Sequence, residues 1–248
     1  MHRIIADIFY FWGAEMNRYL WAFAISCFWG MNTDLARASV EENSSSEFYR
    51  LQPLSVKEVV PTAAELYSDL LQPGPSEATG QLAISAIDWG TIQLIGEKLI
   101  QIVQAGKPVG NVTRDAVSVV PGGVRTWDQL SGWKAPITKV YSVTAKNYLN
   151  LTVIDLRLKV SAMYGGGING RGQYLANVIV VPTSVYVLWG FSCDVWAEHR
   201  DPVNTGSESQ PIAGLGFDIR YRYGSALNEQ IGTQDYFVSG AGEIKELD

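Results

Sequence analysis

Few side chains in this sequence could do covalent or acid–base chemistry. The 248 residues include two histidines, His2 and His199, and two cysteines, Cys27 and Cys193. His199 sits in the polar turn "AEHRDPVN", and its "HRD" has no glycine-rich nucleotide loop, strand lysine or "DFG" to go with it. A Ser-His-Asp or Cys-His nucleophile needs a base held by an orienting partner, and a lone turn histidine is poor material for one. There is no GxSxG and no HExxH. "GGGING" at 165–170 has the G-x-G-x-x-G spacing, but "RGQYLANVIVV" follows it, a strand pattern and not the helix N-terminus that holds phosphate. It reads as a hairpin loop. Asp194 and Glu198 would share a face of one strand, which is the raw material of a glycosidase pair. Any β protein offers such a pair by chance. The chain is therefore expected to be no enzyme, with no catalytic residue, metal or cofactor.

Residues suited to binding are more plentiful. Trp127, Trp133, Tyr164, Tyr174, Trp189, Phe191, Trp196, Tyr221 and Tyr223 fall in the β-patterned second half, several near strand ends. Trp and Tyr suit half-wet sites such as a sugar platform or a lipid headgroup layer. Trp133, Tyr164, Tyr174 and Trp196 are the candidates for lipid or sugar contact. Trp189 and Phe191 lie inside the apolar run "VYVLWGF" and read as core.

The elements that would position these residues are mostly strands. From residue 115 onward, runs such as "ITKVYSVTA" and "NLTVIDLRLKVSAMY" are punctuated by "PGG", "GGGINGRG" and "HRDPVNTGSESQP". In "VIDLRLKVSA", Asp155, Arg157 and Lys159 alternate with Ile154, Leu156, Leu158 and Val160, with Val153 as the mismatch. One face is wet and one dry, as in an antiparallel sheet. The fold expected is mainly β: an antiparallel β-sandwich over 106–248 preceded by an amphipathic helix over 81–105. That helix is read from Ile84, Ile87, Trp89, Ile92, Ile95, Leu99 and Ile102, with Gln93, Glu97 and Gln101 opposite. "AGKPVG" at 105–110 would end it. A shorter helix is expected in "PTAAELYSDLLQPG", where Thr62 and Glu65 make a capping box.

Charge divides the chain further. Net charge is −6, which argues against a nucleic-acid partner. Seven acids against Arg50 and Lys57 place almost all of it in 39–80, an expected pro-segment or linker. Before that, the apolar run at 19–31 follows Arg18 and precedes "ARA" at 36–38, as in a secretory signal. The reading is a signal region over 1–38, with Met16 a possible true start, and a secreted product. Cleavage before Ser39 would remove Cys27 and leave no internal disulfide.

The order of parts resembles the actinoporins, pore-forming cytolysins built as a β-sandwich with a detachable amphipathic helix. The resemblance rests on Gly110, Asn111, Val112 and Arg114, then "AVSVV", then Gly122-Gly123, then Thr126-Trp127. It implies docking on a lipid membrane, homo-oligomerisation there, and insertion of the helix at 84–103 to form a pore. Twenty residues at 1.5 Å would just span about 30 Å of hydrocarbon. The same architecture resembles the fungal fruit-body lectins, which implies a glycan receptor and no pore. A coat-type structural sandwich with an N-terminal arm is a third expectation.

Overall fold

The run "VIDLRLKVSAMYGGGI" forms a long strand because its dry face has a second sheet to lie against. The computed structural model describes residues 45–67, 87–96, 99–109 and 116–247. The chain divides into two units, Met1–Phe48 and Tyr49–Asp248, and every strand among the described residues belongs to the second. The signal region at 1–38 and Ile84 lie outside the described residues.

Among the described residues, thirteen strands make two antiparallel sheets. The first contains β1 (Ser55–Val59), β6 (Lys134–Lys146), β7 (Thr152–Ile168), β8 (Arg171–Val187), β5 (Val117–Gly122) and β2 (Asp88–Ile95), in that order. The second runs β13 (Glu243–Leu247), β12 (Glu229–Ser239), β11 (Ala213–Ser225), β9 (Phe191–His199), β3 (Leu99–Gln104) and β4 (Lys107–Pro108). β10 (Val203–Asn204) pairs with β11. Apolar residues of both sheets form one core, the arrangement of a sandwich-like fold. Tyr141 of the first sheet meets Tyr236 of the second with ring centroids 4.7 Å apart, and Phe217 stacks on Tyr236 at 5.3 Å.

Several expectations are visible at residue level. Ile154, Leu156, Leu158 and Val160 are buried, and Asp155 is exposed. Lys159 departs from the pattern and is buried as well. The "GGGING" run ends in the hairpin turn Asn169-Gly170, both at positive φ (53° and 75°), so that Ile168 faces Arg171 across β7 and β8. The Thr62–Glu65 capping box forms at the start of α2 (Ala63–Tyr67): Thr62 N donates to Glu65 Oε2 at 2.8 Å and Glu65 N to Thr62 Oγ1 at 3.3 Å. α1 is a short helix over 45–49.

Two expectations are overturned. Over its described residues the expected amphipathic helix is two strands: Asp88–Ile95 is the edge strand of the first sheet and Leu99–Gln104 lies inside the second. Its apolar residues scatter accordingly. Ile87 and Ile102 are buried, Trp89, Ile92 and Ile95 are half-buried in β2, and Leu99 begins β3. Thr91 and the isoleucines at 92, 95, 100 and 102 are β-branched and stiff at χ1, which favours strand over helix. Gly90 and Gly96 would each cost a helix about 1 kcal/mol relative to Ala. The second correction concerns 39–80. Its described residues from Tyr49 to Tyr67 belong to the sandwich unit, and β1 pairs with β6 from Ser55↔Thr144 to Val59↔Val140.

Candidate functional site

One end of the two-sheet body gathers what the sequence disperses. Three tight connections meet there: 147–151 between β6 and β7, 188–190 between β8 and β9, and 226–228 between β11 and β12. In the first, Asn147 is fully buried and its Oδ1 accepts from the N–H of Leu149 (3.1 Å) and of Leu151 (2.9 Å). Asn150 takes positive φ (63°) to complete the turn. With the polar work done by Asn147, Tyr148, Leu149 and Leu151 are left pointing outward, each about half exposed. In the second, Phe191 N donates to Leu188 O at 3.1 Å, and Gly190 has φ +87°, the position where such a turn wants glycine. A Cβ there would also lie 3.0 Å from the Tyr49 ring. Trp189 stands at the corner of this turn and is 85% exposed. In the third, Ser225 N donates to Asn228 O at 2.9 Å, and Leu227 stands out, 59% exposed.

A strap over 49–52 laces the three turns together. Tyr49 O accepts from Ser225 Oγ (2.6 Å), and the Tyr49 ring lies against Phe191, centroids 6.0 Å apart. Arg50 O accepts from Tyr148 N (3.1 Å), and the Arg50 guanidinium lies 4.9 Å from the centroid of the Tyr148 ring, a cation–π contact. Gln52 bonds Lys146 O through its backbone N (2.8 Å) and Asn147 O through Nε2 (2.8 Å). Leu51 O accepts from Gln230 Nε2 (3.1 Å). Among the described residues, six of the eleven exposed large apolar side chains belong to this end: Tyr148, Leu149, Leu151, Tyr186, Trp189 and Leu227. Scattered exposed apolar residues are ordinary, whereas clustered ones are the usual material of interaction surfaces.

The residues singled out from sequence lie elsewhere. Trp133 and Tyr164 sit toward the opposite end, both half-buried: Trp133 covers Gly166 and meets Trp127 edge-on at 6.0 Å, and Tyr164 covers Gly242 with Lys134 Nζ 5.4 Å from its ring. Trp133 also borders a hollow of about 320 Å³ with Lys134, Ser161, Met163, Asn177 and Ile179. Tyr174 is wholly buried, and burial pushes its phenol up to about 12. Trp196 lies on the second sheet between Gln101 and Arg220. The four do not form one site. Trp189, read as core, is the most exposed aromatic of the described residues. The one signal that could have found it is the glycine after it, since "LWGF" has the form of a tight turn as well as of an apolar run.

Asp194 and Glu198 both lie on β9, but each is tied to an arginine, Asp194 to Arg222 and Glu198 to Arg220 at 2.8 Å. Burial would raise the Asp194 carboxyl, yet Arg222 and the Ala105 N–H hold it below the ordinary carboxylate range. That is the reverse of what a proton-donating acid needs. His199 borders a second hollow of about 400 Å³ with Ile92, Gln93, Leu94 and Arg200. Among the described residues no group of three His, Cys, Asp or Glu side chains could hold a metal, and no helix is long and apolar enough to cross a membrane. Comparison with protein-family models, with curated proteins and with solved structures returned no match.

Proposed function

We propose that this protein is a membrane-docking β module whose 49–52, 147–151, 186–191 and 225–228 end meets the lipid headgroup layer. The observation that carries the reading is Trp189, 85% exposed at the corner of a braced turn, on the same end of the fold as the turns that carry Tyr148, Leu149, Leu151 and Leu227. Tryptophan and tyrosine favour the headgroup level, where an apolar ring and a polar edge are both accommodated. A rigid end of this kind gains from burial without losing much side-chain or loop entropy on binding. Burying about 100 Å² of the Trp189 side chain would contribute about 2.5 kcal/mol. Docking of this kind needs no pore. The pore that the actinoporin resemblance implies would need a helix drawn from strands of two different sheets.

Flotation of the full chain with lipid vesicles tests the reading. The native chain is expected to float, and Trp189→Ser is expected to weaken binding at least tenfold while leaving the far-ultraviolet circular dichroism unchanged. A native chain that stays at the bottom with both zwitterionic and anionic vesicles refutes it. A second reading, glycan binding, is favoured by the hollow beside Trp133, where an indole, Lys134, Ser161 and Asn177 line one depression. A glycan array with Trp133→Ala as the control tests it; a positive spot that survives the substitution removes that site.

A further inference from the structure

Around the apolar tips stands a set of cations that have no carboxylate partner among the described residues. Arg50, Lys107 and Lys146 are all exposed. Arg50 lies on the Tyr148 ring. Lys146 is the last residue of β6, immediately before the 147–151 turn. Lys107 follows the β3–β4 turn, in which Gly106 N donates to Cys193 O at 2.8 Å and a Cβ on Gly106 would meet Val187, two residues from Trp189. Among the described residues none of the three is in an ion pair. Among the described residues the opposing carboxylates near this end are Asp155 and Glu229, both exposed, and half-buried Glu47, three residues before Arg50, while Asp194 is bound to Arg222. Elsewhere on the second sheet the pattern is the opposite. Arg200 and Arg220 each neutralise carboxylates of their own sheet. Among the described residues, then, these three cations stand without an ion pair beside the cluster of exposed apolar side chains.

We infer that the docking end is built for an anionic bilayer surface, with Arg50, Lys107 and Lys146 as a basic collar around the apolar tips. This rests on the docking reading and names the chemistry of its partner. Apolar tips alone would not distinguish one lipid from another. Cations beside them add an attraction of about 1 kcal/mol each near an anionic surface, which is roughly a fivefold gain per charge. The strands of both sheets run into these turns, so tip insertion would hold the strand axes steeply to the membrane.

The experiment is flotation of the full chain with vesicles of phosphatidylcholine alone and with vesicles carrying about one third phosphatidylserine, in about 0.1 M and about 0.5 M salt. The native chain is expected to bind the anionic vesicles at least tenfold better, with most of that preference lost at the higher salt as the Debye length shrinks. Replacing Arg50, Lys107 and Lys146 together by Gln should abolish the preference and leave residual binding to phosphatidylcholine; Trp189→Ser should reduce binding to both. Equal binding of the native chain to both vesicles overturns the inference and leaves docking intact. Binding to neither overturns docking itself. Sedimentation velocity without lipid covers the remaining occupant: a dimer that Trp189→Ser disperses would assign the end to a second copy of the chain and overturn the inference.

Discussion

Glu65 is held at the start of α2 by five donors. Its carboxylate accepts from Arg157 Nε (2.8 Å) and Nη2 (3.0 Å), Thr183 Oγ1 (2.8 Å), Thr62 N (2.8 Å) and Thr62 Oγ1 (2.8 Å). The side chain is only 8% exposed. Burial by itself would raise its pKa, but Arg157, Thr62 and Thr183 outweigh that and bring it to about 2. A carboxylate lowered in the fold stabilises above its unfolded pKa, near 4.5, and loses that contribution as pH falls toward 2. Glu65→Gln is therefore expected to cost about 2–3 kcal/mol at pH 7. The gap between the two proteins should narrow below pH 4.5 and nearly close at pH 2. Urea denaturation of both across that range measures it, and a gap that does not change with pH would show that the ion pair is not its source. The capping box that fixes this residue was plain in "PTAAE". Its partners, 92 and 118 residues away, were not, because nothing local records which strand face a helix will sit on.

Among the strands and helices, sequence pattern and fold part most sharply over 87–109. The apolar residues there recur at helical spacing, and the same spacing is compatible with two short strands that bury different faces. What distinguished the two was chemistry at single positions. Gly96 sits at φ +121°, where the chain leaves the first sheet. A Cβ there would lie 2.7 Å from Ala116 O and 2.9 Å from Val117 Cγ1. The "AGKPVG" stretch looked like a helix end, yet Ala105 and Gly106 both take positive φ (50° and 75°) and close the β3–β4 hairpin. Glycine ends helices and turns hairpins through the same conformational freedom, so the residue type alone left both open. Gly96→Ala is expected to destabilise by about 2 kcal/mol or more, through the strained backbone and the close carbonyl. In a mobile membrane helix the same substitution would instead stabilise by about 1 kcal/mol. Thermal denaturation gives the sign, and a raised Tm would restore the helical reading. Strand β7, by contrast, was legible from the alternation in "VIDLRLKVSA", because one of its faces is dry.

For the molecule as a whole, two-sheet architecture was readable from patterning and the apolar-tipped end was not. That end is assembled from stretches as far apart as Tyr49 and Ser225, and each of them alone looks like an ordinary turn. Trp189 was hidden by the apolar residues around it in "VYVLWGF", several of which do pack against the core. The assembled fold also bears on whether docking leads to a pore. Releasing 87–104 would expose Ile87, Ile102 and Val103, at about 1.5–3 kcal/mol each. It would also break the β2–β5 and β3–β9 ladders. The expected result with dye-loaded anionic vesicles is therefore binding without rapid dye release. Should release occur, Gln101→Cys with Trp196→Cys decides its route, since these residues face each other across β3 and β9. Release that stops when the pair is oxidised and resumes on reduction would mean that β3 leaves its sheet, contrary to expectation. Release indifferent to the pair would place the membrane damage at the docking end itself, with the sheets intact.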